Sequence, residues 1–334
     1  MSTRIGVVTG QPLFQVDGRP RFLPGANYAW HRYGEFGDSI WGGVNRIAAH
    51  AARIEADLAA IRGHGSRAVR WFLFTDGRSG IRFDAASRLP VGLANGTIED
   101  IAAALNLASR HELFVLFSLL DYLAAFDNPA GAGPLARNIL TTGDGTRAFV
   151  ERVLAPVLDA FGTHDSVLGW EVMNEPDWII DDLNPMRGLS RPLRWDEFAA
   201  FAGAVSTAVH ARSNALTTVG GARAINLARW DDAALGLDFL QVHLYYDARN
   251  RDIDRDLFGV PAAALNLSRP ILIGEVPGRN DPHPGRLRLE DWLAFGLDGG
   301  YAGVWPWAYT FGPGDRHAPY DGAAMKAFYE SAGG

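Results

Sequence analysis

Eight short, almost continuously apolar runs, with helical patterns between most of them, constrain this chain more than any other feature of its sequence. They occupy residues 22–27, 68–73, 113–119, 167–173, 216–220, 239–243, 271–275 and 303–307. Runs of this length without polar alternation are what strands buried on both faces require. Helical patterns fall between them. Ile47, Ile54, Leu58 and Ile61 share one helical face that Gly63 or Gly65 can end. Phe149, Val153, Val157 and Phe161 repeat the device before the fourth run, and Phe198, Phe201, Val205 and Val209 before the fifth. The helix after the fifth run is the weakest, barely one turn over 231–235. Strands alternating with helical crossovers predict an α/β protein, a (β/α)8 TIM barrel, preceded by an N-terminal β-hairpin turning at Asp17-Gly18.

The alternative, an open doubly wound sheet, wants a glycine-rich phosphate loop after an early strand. Gly131-Ala132-Gly133 follows no strand directly and lacks the third glycine. With no repeat, low-complexity tract or linker, residues 1–334 read as a single catalytic barrel domain. Two connections are long, 30–45 and 122–143. In a barrel both leave from the C-terminal rim, where active sites sit.

Composition narrows the function. A net charge of −7 argues against a nucleic-acid or acidic-membrane partner, which would need a basic face. No cysteine is present, so disulfides and thiolate metal sites are excluded. The nine histidines are scattered without metal-ligating spacing, so neither a metal nor a cofactor is expected. The N-terminus carries no apolar core of a signal peptide, an expectation of cytoplasmic location unless a leader has been removed. No stretch approaches a membrane span, and oligomeric state is not readable.

The chemistry lies at two strand ends. The fourth run passes into Asn174-Glu175-Pro176, and the seventh ends at Glu275. Both strand ends open on one rim, so the two carboxylates are expected to face each other across the mouth. Such a pair cleaves glycosides: one carboxyl protonates the leaving oxygen, the other attacks the sugar carbon.

In these residues the chain resembles the clan A retaining glycoside hydrolases, and within them family 5, the cellulases and mannanases. The resemblance implies Glu175 as acid/base and Glu275 as nucleophile in the retaining hydrolysis of β-mannan- or β-glucan-type carbohydrates. It identifies Arg70 with the strand-two arginine that supports the nucleophile, and His243 and Tyr245 with the His-x-Tyr of strand six. Trp305 in Trp305-Pro306-Trp307 is similar to the strand-eight tryptophan flooring the sugar site. At the end of strand three, where many members have histidine, Asp121-Tyr122 stands instead. Together with Trp-x-Trp this leans toward the mannan-degrading members.

These residues have physical work to do. A cation beside Glu275 would keep it ionised, and Asn174 would bind the sugar 2-hydroxyl. Trp30 and Trp307 are candidates for sugar platforms or for loop packing. Asp121 would bind sugar hydroxyls or cap the next segment. Glu171 would be an inward carboxylate lower in the barrel, paired with Arg70 or Arg223, whereas Trp71, Trp170 and Trp292 are packing residues. Three geometric expectations follow. The two carboxyls should stand ~5–5.5 Å apart, the retaining separation. The Trp305-Pro306 bond should be cis, because a cis bond is least costly before proline. Trp305 should then face both glutamates. The competing readings are a catalytically inactive carbohydrate-binding barrel and an aldolase-type barrel, the latter lacking a Schiff-base lysine at any strand end.

Overall fold

The computed structural model describes residues 5–332 except 41, 127–132, 184–185, 187–188, 190, 246–256, 258, 281–286, 311 and 313. Gly131-Ala132 and the first four residues thus lie outside the described residues. Eight parallel strands form one sheet in sequential order: β1 (Gly25–Asn27), β2 (Ala68–Phe72), β3 (Phe114–Asp121), β4 (Val167–Asn174), β5 (Leu216–Gly221), β6 (Leu240–His243), β7 (Ile271–Pro277) and β8 (Gly303–Trp307). The first and last strands come together through backbone bonds from Leu23 N to Ala302 O (2.8 Å) and from Tyr309 N to Asn27 O (2.9 Å). The sheet thereby curls into a (β/α)8 barrel, with helices such as Ile47–Gly63, Thr97–Arg110 and Trp195–Arg212 outside it.

The N-terminal hairpin pairs Phe14–Val16 with Arg19–Arg21 around Asp17 (φ 51°) and Gly18 (φ 73°). Two left-handed residues make the turn whose twist matches a hairpin. A third short strand, Ile5–Gly6, adds to its edge.

Local departures from the sequence reading have physical causes. The first barrel strand begins at Gly25 because Pro24 has no N–H for the ladder. β3 and β4 run on to Asp121 and Asn174, which are themselves paired in register. The expected helix over 149–161 is broken by a π-helical turn, Val150–Leu154, before Ala155–Phe161. Pro156 cannot donate to the preceding turn, and the wider turn accommodates that gap. The connection after β2 carries an unforeseen antiparallel pair, Ile81–Phe83 with Pro90–Leu93. After β5 there are only the single helical turn Leu227–Trp230 and the 3₁₀ turns Ala224–Asn226 and Ala233–Leu235.

Two apolar layers hold the barrel. The outer layer packs helices on the sheet and contains Trp71, Trp170 and Trp292, all buried; Trp170 stacks on Phe117 at 5.4 Å. The inner one closes the N-terminal end of the barrel with Phe14, Leu23, Ala68, Leu116, Leu272 and Trp305. Among the described residues, no helix is long and apolar enough to cross a membrane.

Candidate active site

Strand alternation sends every second residue into the barrel, and above the apolar floor those residues turn polar. Ala68 on the floor is followed by Arg70, Leu116 by Ser118, and Phe239 by Gln241 and then His243. Arg70 is fully buried and its N–H groups are met on every side. Nε and Nη2 donate to the two oxygens of Glu171, both at 2.6 Å. Nη1 donates to Glu275 Oε1 (2.6 Å) and Asn27 Oδ1 (3.0 Å), and Nη2 also to Asn174 Oδ1 (2.6 Å). Arg70, rather than Arg223, is therefore the partner of Glu171, at the level below the mouth where the sequence reading put that carboxylate. A buried guanidinium between two carboxylates is what its desolvation demands.

Glu175 follows the last residue of β4 in a left-handed conformation (φ 48°, ψ 49°). That geometry costs a non-glycine residue on the order of 1 kcal/mol or more. It turns the carboxylate back over the mouth, where Oε1 meets His243 Nδ1 at 2.9 Å and Oε2 accepts from Trp178 Nε1 at 2.8 Å. Glu275 comes from β7, where a shift in register sets it opposite His243 of β6. Its Oε2 accepts from the Tyr245 hydroxyl at 2.6 Å, and its Oε1 lies 3.4 Å from His243 Nδ1. An oxygen of Glu175, an oxygen of Glu275 and a ring nitrogen of His243 all lie within 4.8 Å of one another.

That trio has the donor types of a metal site, yet the Arg70 guanidinium already meets Glu275 and would oppose a cation there. Burial pushes the Glu175 carboxyl up to about 7, with Trp178 and Arg70 pulling against it. Burial also raises Glu275, opposed by His243, Arg70 and the Tyr245 hydroxyl. The direct guanidinium contact is what Glu275 has and Glu175 lacks, so Glu175 is the better proton holder. Burial lowers His243 to about 4 and keeps it a neutral imidazole at neutral pH.

The cleft above them measures about 600 Å³, and its walls include Trp30, Tyr122, Asn174, Trp178, Tyr245 and Trp307. Asp121 also borders it and does two things at once. It accepts from Asn174 Nδ2 (2.7 Å) and caps the turn Tyr122–Ala125 through Leu123 N (2.8 Å). Burial pushes this carboxyl up to about 7 as well. Trp30 and Trp307 meet edge-on at 6.1 Å, and Trp307 Nε1 donates to Asp315 at 2.8 Å. The loop that carries Trp30 is pinned by buried Glu35, which accepts from His31 N, Arg32 N and the Trp71 indole (2.6 Å).

Trp305 is a correction. Its indole donates to Leu23 O (3.0 Å) among the floor residues, it does not border the cleft, and the Trp305-Pro306 bond is not cis. Among the described residues the cis bonds are at Trp307-Ala308, in this region, and at Ala318-Pro319. Residues 305 and 307 both face inward, but two residues of strand separate them by about 6.6 Å along the strand, so only the later one reaches the mouth. Trp178, Tyr33 and Phe72 line the cleft without having been anticipated. Asn27, Ser118 and Gln241, which complete the network below, carry a legible signal: a polar residue inside a buried apolar run has to be paired.

No family model matches the chain. A mannan endo-1,4-beta-mannosidase of Mytilus edulis is 24% identical over 330 residues, spanning 88% of this chain and 85% of that protein. A second, from Cryptopygus antarcticus, is 22% identical over 96% of this chain and 90% of its own length. Among solved structures, the endo-1,4-beta-mannanase of Eisenia fetida superposes with a TM-score of 0.81 at 21% identity, covering 98% of this chain and 95% of that one.

Proposed function

We propose that this chain, which resembles the family 5 members of clan A, is a retaining β-mannanase that cleaves internal β-1,4-mannosidic bonds by double displacement. The observation that carries the reading is the pair of carboxylates just after β4 and on β7, Glu175 half-buried and Glu275 buried, with one oxygen of each within 4.8 Å and only Glu275 bonded to a guanidinium. Oxygens this close suit the ~5–5.5 Å carboxyl separation of direct attack on the sugar better than the ~6.5–9.5 Å that leaves room for an inverting enzyme's water. The full-length similarity to mannan endo-1,4-beta-mannosidases supplies the substrate class.

In this mechanism Glu175 gives its proton to the leaving oxygen while Glu275 attacks the anomeric carbon. The Glu175 carboxylate then takes a proton from water, which displaces the sugar from Glu275 with a second inversion. Arg70 and Tyr245 each hold one oxygen of Glu275 and orient it for attack. The amide of Asn174, held between Arg70 and Asp121, presents its remaining N–H to the sugar 2-hydroxyl, a contact that strengthens in the transition state. Trp307 takes the role of sugar floor that Trp305 cannot fill, and Trp30 stands beside it.

A carbohydrate-binding barrel without turnover would have no use for a guanidinium spent on one carboxylate of the pair. Proton NMR of β-1,4-mannan digestion tests the proposal. Newly formed reducing ends should appear first as the β anomer and mutarotate afterwards, with little release from a β-glucan such as carboxymethylcellulose. An α anomer at first appearance would overturn double displacement, and no release from either polymer would return the chain to the binding class.

A further inference from the structure

We infer that Gln241 is a positioning residue that fixes His243 in its Nδ1–H tautomer, with Glu171 holding Gln241 in place. The inference rests on the acid/base assignment of Glu175 only for its catalytic consequence, not for the tautomer.

Gln241 lies on β6 two residues before His243, so alternation puts both side chains inside the barrel. It is fully buried. Its Nε2 is 2.6 Å from Glu171 Oε2 and 3.3 Å from His243 Nε2. The Glu171 carboxylate sits against Arg70 and takes Ser118 Oγ as a third donor at 2.7 Å, so it is ionised and can only accept. That decides which way round the amide lies: nitrogen, not oxygen, faces Glu171. An amide nitrogen carries two hydrogens. One goes to Glu171, and the other points at His243 Nε2, which must offer a lone pair. The single hydrogen of the neutral ring is therefore on Nδ1, which donates to Glu175 Oε1 at 2.9 Å.

The opposite tautomer would set N–H against N–H at 3.3 Å on one side of the ring. An imidazolium would meet the same clash; burial and Arg70 oppose it, although Glu275 and Glu171 favour it electrostatically. The surrounding backbone is shaped around this arrangement. A Cβ at Gly274 would stand 2.5 Å from Gln241 Cδ, and one at Gly220 2.9 Å from its Nε2. Glycines on β5 and β7 thus leave the room that the glutamine side chain fills.

The consequence is help at the moment the proton leaves. A ring whose Nδ1 bears hydrogen cannot take the proton of Glu175, and its N–H stabilises the carboxylate that remains once that proton has gone to the leaving group. With an Nε2–H tautomer, Nδ1 would instead accept from the carboxyl at 2.9 Å and hold its proton back.

Long-range proton–nitrogen correlation spectra of the full chain labelled with nitrogen-15 histidine test this directly, before and after Gln241→Met. The wild-type His243 signal should show Nδ1 protonated and Nε2 bare, and the variant should shift toward the other tautomer. Turnover of alkyl β-mannosides should fall by about tenfold or more in the variant, and that of nitrophenyl mannosides, which need less proton donation, by clearly less. An Nε2–H signal in the wild-type protein would overturn the inference, and this result needs no variant to fold. A variant that keeps the pure Nδ1–H signal would overturn it too. Loss of the tautomer in the variant with equal effects on both substrates would uphold Gln241's role and count against Glu175 as the acid.

Discussion

The two ends of the barrel interior are built by one alternation rule and behave as opposites. At the N-terminal end Leu23, Ala68, Leu116, Leu272 and Trp305 form an apolar plug with only backbone partners for polar atoms. One layer up, Asn27, Arg70, Ser118, Glu171, Gln241 and His243 form a polar layer almost without access to water. Each depends on the other. The plug keeps water from reaching the ionic layer from below, so the Arg70–Glu275 contact is not screened, and an unscreened contact is worth more than an exposed one. The ionic layer, in turn, is tolerable only because its charges are paired. Damage to the floor should therefore appear as lost stability, and damage to the mouth as lost chemistry.

The largest effect expected at the mouth is from Glu275→Gln. Turnover of mannan should drop by roughly 10⁴-fold or more, with a thermal midpoint near that of the parent, as judged by product release and calorimetry. Arg70→Met breaks the contrast on purpose, because it removes the cation and leaves Glu171 and Glu275 facing each other in a buried site. It should cost about 3–5 kcal/mol of stability as well as activity, measured by urea unfolding at neutral pH.

The tryptophans sharpen the comparison further. Trp305→Ala should lower stability by about 3–5 kcal/mol, the range for a large buried aromatic. Trp307→Ala should leave stability almost intact and reduce kcat/KM by about tenfold, or ~1.4 kcal/mol of transition-state binding. The reverse pattern would return the sugar floor to Trp305.

The smallest effect expected is in the pH profile. Burial raises the Glu175 carboxyl to about 7, and acid catalysis needs it protonated, so kcat/KM should fall as pH rises through that value. In Glu175→Gln that alkaline limb should disappear on substrates with good leaving groups. A limb that persists would point to Asp121, which is raised to about the same value.

Much of this was legible in the sequence for physical reasons. Strands buried on both faces leave apolar runs, and all eight could be placed to within a few residues. A charged residue inside such a run must have a partner, which is why Glu171 could be given Arg70 or Arg223 as its partner before any coordinates, with the choice between them left to the fold. The levels along the barrel axis were harder to read. Trp305 and Trp307 have the same parity, and the sequence does not show how high above the floor each lies. Trp178 escaped notice because it sits on an irregular turn after Glu175, where neither period applies.

The central claim is that Glu275 forms the bond to the sugar while Glu175 handles the proton. The most direct test is to incubate the protein with an activated 2-deoxy-2-fluoro-β-mannoside and map the peptides by mass spectrometry. The fluorine slows both steps, and the good leaving group lets the first proceed. The account predicts a stoichiometric fluoromannosyl adduct on the peptide carrying Glu275, and faster recovery of activity when an acceptor sugar is added. An adduct on Glu175, or full inactivation resistance with normal turnover of mannan, would contradict it.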